Sequence, residues 1–180
     1  NENTTQTAKF CIPGPGMTHL RSGRQGISET AYPDMESYWP DIIAAYAAEI
    51  NEMAELGCTY LQIDDVSFAY LCDEDFRKDI VERGDDPDQL LVTYAQALSQ
   101  AIADRPAGMT VTTHMCRGNF QSTWMTSGGY ESVAERMFDE MKVDGYFMEY
   151  DSDRAGGFEP LRFVPKDRMV VLGLITSKTP

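Results

Sequence analysis

The stretch TVTTHMC, Thr110 to Cys116, alternates with a period of two. Successive side chains of an extended strand point to opposite faces. Thr110, Thr112, His114 and Cys116 therefore share one face, and Val111, Thr113 and Met115 share the other. The same division recurs on either side. In YLQIDD (60–65), Gln62 and Asp64 oppose Leu61 and Ile63. In GYFMEYD (145–151), Phe147, Glu149 and Asp151 oppose Tyr146, Met148 and Tyr150.

Helical patterns separate these strands. A helix is expected from about Met35 to Leu56, with Ile42, Ile43, Tyr46, Ile50, Met53 and Ala54 as its apolar stripe and Gly57 as its stop. Others are expected over 70–84, over 86–106 (opened by Asp86-Pro87 and closed before Pro106) and over 130–143. KFCIPGPG (9–16) reads as a short strand broken by proline and glycine, and RMVVLGLI (168–175) as a final strand. Strands alternating with helices imply βαβ units and a parallel sheet.

A doubly wound sheet is covered on both faces, and its strands read as nearly continuous apolar runs. The polar rows here suit a barrel better, because strand C-termini open into the mouth of a (β/α) barrel. The expected fold is α/β, of the (β/α)8 TIM-barrel type. About five strands are present where a closed barrel has eight, so the barrel is read as incomplete. Residues 1–8 are expected to be a loose polar lead-in and 9–180 a partial-barrel domain. Uncovered edges and apolar surface predict self-association.

The formal net charge is −14, which disfavours nucleic-acid backbones and anionic membranes as partners. No apolar run approaches the ~18 residues of a membrane span. NENTTQTAK at the N-terminus lacks the layout of a signal peptide. Four cysteines (Cys11, Cys58, Cys72, Cys116) are too few for a disulfide framework. Free thiols and a cytoplasmic location are expected.

Ligand-type groups stand at three strand ends: Asp64, then His114 with Cys116, then Glu149. Imidazole, thiolate and carboxylate form an N/S/O donor set suited to zinc, and i, i+2 spacing lets His114 and Cys116 face one ion. Spacing alone leaves H-x-C open between a ligand pair and two core residues. Asp64 could equally cap the following turn, although Asp65 is the preferred cap. Glu149 and Asp151 could be solvated loop acids.

TTHMCRGNF, with LQIDD before it and GYFMEYD after it, resembles the catalytic domain of cobalamin-independent methionine synthase, and more closely its short, single-domain bacterial relatives. The resemblance runs from IPGPGMTH to VVLGLITSKTP. It implies zinc held by His114, Cys116 and Glu149, with Asp64 on the amino group of homocysteine. That family's fourth ligand, a cysteine nearer the C-terminus, has no counterpart, since no cysteine follows Cys116. Family segments preceding IPGPG, which contact substrate, have no counterpart either. The implied reaction is methyl transfer from a methylfolate to the zinc-activated thiol of homocysteine, in methionine biosynthesis. The alternatives are a related zinc methyltransferase using another thiol or a corrinoid methyl donor, and an inactive barrel fragment.

The remaining polar and reactive groups read as ordinary. His19 is expected at the surface; Arg117, Arg154 and Lys178 could meet carboxylates, with surface solvation the preferred reading. Cys11, Cys58 and Cys72 are expected to be inert core thiols. Phe120 and Trp124, in the long loop RGNFQSTWMTSGG, suit either stacking on a flat donor or simple packing.

Overall fold

A computed structural model describes residues 3–178. Residues 1 and 2 of the expected lead-in, and 179 and 180 of the expected domain, lie outside the described residues. In chain order the elements are β1 (Phe10–Pro13), α1 (Met17–Leu20), α2 (Met35–Glu55), β2 (Tyr60–Asp64), α3 (Ser67–Tyr70), α4 (Glu74–Glu82), α5 (Pro87–Ala101), β3 (Thr110–Met115), α6 (Ala134–Glu140), β4 (Gly145–Glu149) and β5 (Met169–Gly173). A 3-10 turn at Glu159–Phe163 takes the place of a helix between β4 and β5.

Each longer helix starts where an aspartate claims the free N–H groups of the first turn. Asp34 accepts from Ser37, Asp73 from Asp75 and Phe76, and Asp86 from Asp88 and Gln89. Asp73 also breaks the helix expected over 70–84. Its extended backbone (φ −85°, ψ 123°) and capping carboxylate divide that stretch into α3 and α4.

The strands form one parallel sheet in the order β1-β2-β3-β4-β5. This order never reverses, whereas a doubly wound sheet reverses to place helices on both faces. Here α2 packs on α5, α5 on α6, and α6 on the 159–163 turn. Helices cover a single face of the sheet. Beneath them lie Leu61, Ile63, Val111, Met115, Tyr146 and Met148, packed against Ile50, Tyr94, Leu98 and Phe138. The alternation read from the three central strands is the one observed.

The other face carries Gln62, Asp64, Thr112, His114 and Phe147, with Met169 and Val171 on β5. Met169 and Val171 are exposed. Among the described residues β1 and β5 are open edges, so the architecture is a singly wound α/β sheet of five parallel strands. No helix among the described residues is long and apolar enough to cross a membrane.

Several surface assignments are overturned. His19 is buried in α1, where Nδ1 lies 2.8 Å from the Tyr94 hydroxyl and the ring packs against Trp39. A short helix against α5 seats it there, and a lone histidine in a Pro/Gly-rich stretch carries no signal of that. Arg117 is fully buried and Lys178 nearly so. Conversely Cys11 is exposed, because β1 is an edge strand with one open face, while Cys58 is half-buried and only Cys72 is a core thiol.

Candidate functional site

Asp64 and His114 are register partners on β2 and β3. Their side chains meet across the ladder, with His114 Nδ1 2.6 Å from Asp64 Oδ1. Both are half-buried. Cys116 follows on the same face, and Glu149 closes β4 beside it. His114, Cys116, Phe147, Glu149, Asp151 and Lys178 line one hollow of about 310 Å³. Cys116 and Asp64 also border a second, larger groove of about 780 Å³, lined by Met17, Tyr70, Phe76, Phe120 and Met125 together with the exposed Arg21. The two hollows thus share Cys116.

Glu149 is the most constrained of these groups. Oε2 accepts the Arg117 backbone N–H at 2.9 Å, and Oε1 accepts from Arg154 Nη2 at 2.7 Å. Lys178 Nζ lies 3.4 Å from Oε2 and 3.8 Å from Asp151. Arg154 also donates to both oxygens of Asp151, at 2.8 and 2.9 Å. Two carboxylates and two cations form a closed, buried cluster. Burial works against the charge of Asp151, yet the Thr176 hydroxyl, Arg154 and Lys178 hold its carboxyl below the usual range. Arg117 supports the same strand end from beneath. Its guanidinium donates to the carbonyls of Glu149 and Gly128 and to the Tyr130 hydroxyl, and it lies over the Tyr130 ring. Trp124 packs against the Arg154 guanidinium, and Phe120 is exposed at the groove.

Cys116 is not an activated thiol by itself. Burial pushes its pKa up, a backbone N–H at Gly118 opposes this, and the Asp64 and Glu149 carboxylates push it further up. A thiol here stays protonated at neutral pH unless a cation is added.

The four residues predicted from sequence therefore come to one side of the sheet, but not around one point. Among the described residues, no three His, Cys, Asp or Glu side chains are arranged to hold a metal ion. The donor chemistry of His114 and Cys116 fits zinc, since among the described residues the imidazole keeps one nitrogen without a hydrogen-bond partner and the thiol shares its hollow. Glu149 would first have to give up a cation. Arg154 and Lys178 meet carboxylates, the alternative the sequence left open for them, and Arg117, preferred at the surface, is instead buried beneath the site. Arg117 directly follows H-x-C, which was the one available hint; nothing local marks the other two.

No family model matches the chain. It is 45% identical over 174 residues to the uncharacterized protein YxjH of Bacillus subtilis. It is 44% identical over 173 residues to the uncharacterized protein YxjG of the same organism. Each alignment takes in 96% of this chain and 45% of the relative. A solved structure, that of the "Putative Vitamin-B12 Independent Methionine Synthase from Listeria monocytogenes", superposes with a TM-score of 0.76 at 38% identity. That match covers 98% of this chain and 48% of the other. The chain resembles about half of that protein. It likewise spans about half the length of the curated relatives it matches.

Proposed function

We propose that this chain is part of a zinc-dependent methyltransferase of methionine-synthase type, transferring a methyl group from a donor such as methylfolate to the thiol of homocysteine. The observation that carries the reading is that Asp64, His114, Cys116 and Glu149 stand on one side of the sheet at the C-terminal ends of β2, β3 and β4, where two hollows share Cys116. The named Listeria neighbour and the order of the motifs support it. The singly wound sheet, with a half-polar open face, suits one wall of a (β/α) barrel. On this reading the remaining half of the longer relatives completes that wall.

His114 and Cys116 would hold the zinc, joined by Glu149 once it exchanges a cation for the metal. Zinc, when bound, supplies the positive charge that lets a thiol ionise at neutral pH. The protein's own residues do the rest by positioning. The free oxygen of Asp64 pairs with the substrate ammonium. The apolar groove seats the donor and keeps water from the sulfur, while Arg154 and Lys178 hold Glu149 and Asp151 in place until the site is loaded. A thiol in one hollow and a donor in the other would both border Cys116.

The test is metal content by mass spectrometry on tag-free protein purified without chelator, beside Cys116→Ser. About one zinc per chain is expected, lost in the variant. Absence of zinc from both proteins defeats the reading. A second reading, a fragment that binds metal without turnover, is favoured by the cations that occupy Glu149. Zinc bound, but no methionine formed from homocysteine and methylfolate, would select it.

A further inference from the structure

We propose that Asp64 is a positioning residue for His114, fixing which imidazole nitrogen carries the proton and leaving Nε2 as the electron-pair donor of the site. In its metal-facing part this rests on the zinc reading above; in its structural part it does not. An ionised carboxylate can only accept hydrogen bonds. At 2.6 Å from Asp64 Oδ1, His114 Nδ1 must therefore carry the proton, since two lone pairs facing each other at that distance would repel. The neutral ring then has its free lone pair on Nε2. Nε2 has no hydrogen-bond partner among the described residues, and the ring lines the hollow that holds Cys116 and Glu149.

The geometry is built into the backbone. Asp64 and His114 face each other in the β2–β3 register, so the contact spans one rung of the ladder. A shift of one residue in either strand would send one of the pair to the helix-covered face. Asp64 Oδ2 takes no part in the contact and stays available to a substrate. A carboxylate that orients a ligating histidine raises the basicity of the ring as well as setting its direction.

The experiment is long-range proton–nitrogen correlation NMR on the nitrogen-15-labelled chain at about pH 8.5, where an ordinary imidazole is neutral. The chain has two histidines, so His114→Gln assigns the signals by loss. His19, buried against Tyr94, serves as an internal check that each variant is folded. We expect the Nδ1-protonated form at His114. We expect reversion toward the Nε2-protonated form in Asp64→Ala and return of the first in Asp64→Glu. A cobalt(II) titration read through thiolate-to-metal absorption should show affinity roughly 10–100-fold weaker in Asp64→Ala. An Nε2-protonated His114 in the parent chain, or a tautomer unchanged in Asp64→Ala, overturns the proposal. The expected tautomers without cobalt binding to the parent chain uphold the positioning role and defeat the zinc reading alone.

Discussion

Asp64 and Asp65 are adjacent, yet strand alternation gives them opposite fates. Asp64 faces the open side and meets His114. Asp65 turns under the helices and is completely buried. There Oδ1 accepts from the Ser67 N–H at 3.1 Å and from its hydroxyl, shaping the turn into α3 rather than capping it, since the N-cap of α3 is Val66 without a side-chain cap, and Oδ2 has no partner among the described residues. A side chain at Gly14 would overlap that carboxylate, so the PGPG turn closes over it only because glycine stands there. Burial pushes the Asp65 carboxyl up to about 6, against the pull of its two Ser67 hydrogen bonds, with Asp64 adding to the rise. The unfolded chain titrates this group near the ordinary value of ~3.9. Between about pH 4 and 6 the folded state thus binds the extra proton. The stabilisation is complete below about pH 4 and is lost as pH rises through 6. The loss should be on the order of 3 kcal/mol. Urea denaturation of Asp65→Asn at a series of pH values should show that segment of the stability curve flattened. An unchanged slope would mean that Asp65 is ionised in the fold.

At the scale of elements, two aspartates cap helices in the same way but carry different loads. Asp86 caps α5 and does nothing else among the described residues, so Asp86→Ala should cost about 1 kcal/mol. Asp73 caps α4 through Oδ1, and its Oδ2 also accepts the Ser127 N–H at 2.7 Å. It thereby ties α4 to the long loop between β3 and α6. Asp73→Ala should cost more than Asp86→Ala in chemical denaturation, and only Asp73→Ala should speed amide hydrogen exchange across 118–128. Equal costs and equal exchange would refute the tie. This loop was the least legible part of the chain. Gln121 and Ser122 both have positive φ (52° and 64°), inside a tight turn bridged by Phe120 and Thr123. Such turns ordinarily signal themselves with Asn-Gly or a similar pair, and Gln-Ser gives no such signal. The longer helices were legible from their apolar period, and the start of α5 from Asp86-Pro87, whereas the break at Asp73 was not read.

At the scale of the whole molecule, the open face and edges are the dominant feature. Phe10, Met169, Leu174 and Ile175 are exposed large apolar residues, Ile175 at 91%. Parallel sheets are normally covered on both faces, so such a surface in an isolated chain is prone to association. We expect light scattering to show apparent mass rising with concentration for this 180-residue chain. Charged substitutions at Met169 and Val171 should suppress the rise. A monomer at every concentration would refute the expected association. The metal measurement also acts at this scale, because Glu149 is held by groups from three separate segments: the Arg117 backbone, Arg154 and Lys178. Lys178→Ala should loosen that hold and strengthen zinc binding, and a weakened affinity would instead assign Lys178 to the binding site.

Alternation and helical periodicity are short-range properties, and from them the sequence alone carries the parallel α/β class and the faces of the central strands, with Asp64, His114, Cys116 and Glu149 on one side of the sheet. Each depends only on a period of two or a helical repeat. The fate of charges far apart in the chain depends on the folded arrangement. Arg154 and Lys178 look like surface residues one at a time, and are drawn in because the fold brings them to Glu149 and Asp151, while Arg117 is buried against the carbonyls of Gly128 and Glu149 and the Tyr130 hydroxyl. Whether a cation is solvated or paired is set by what the fold places within a few ångströms of it, and no local pattern encodes that.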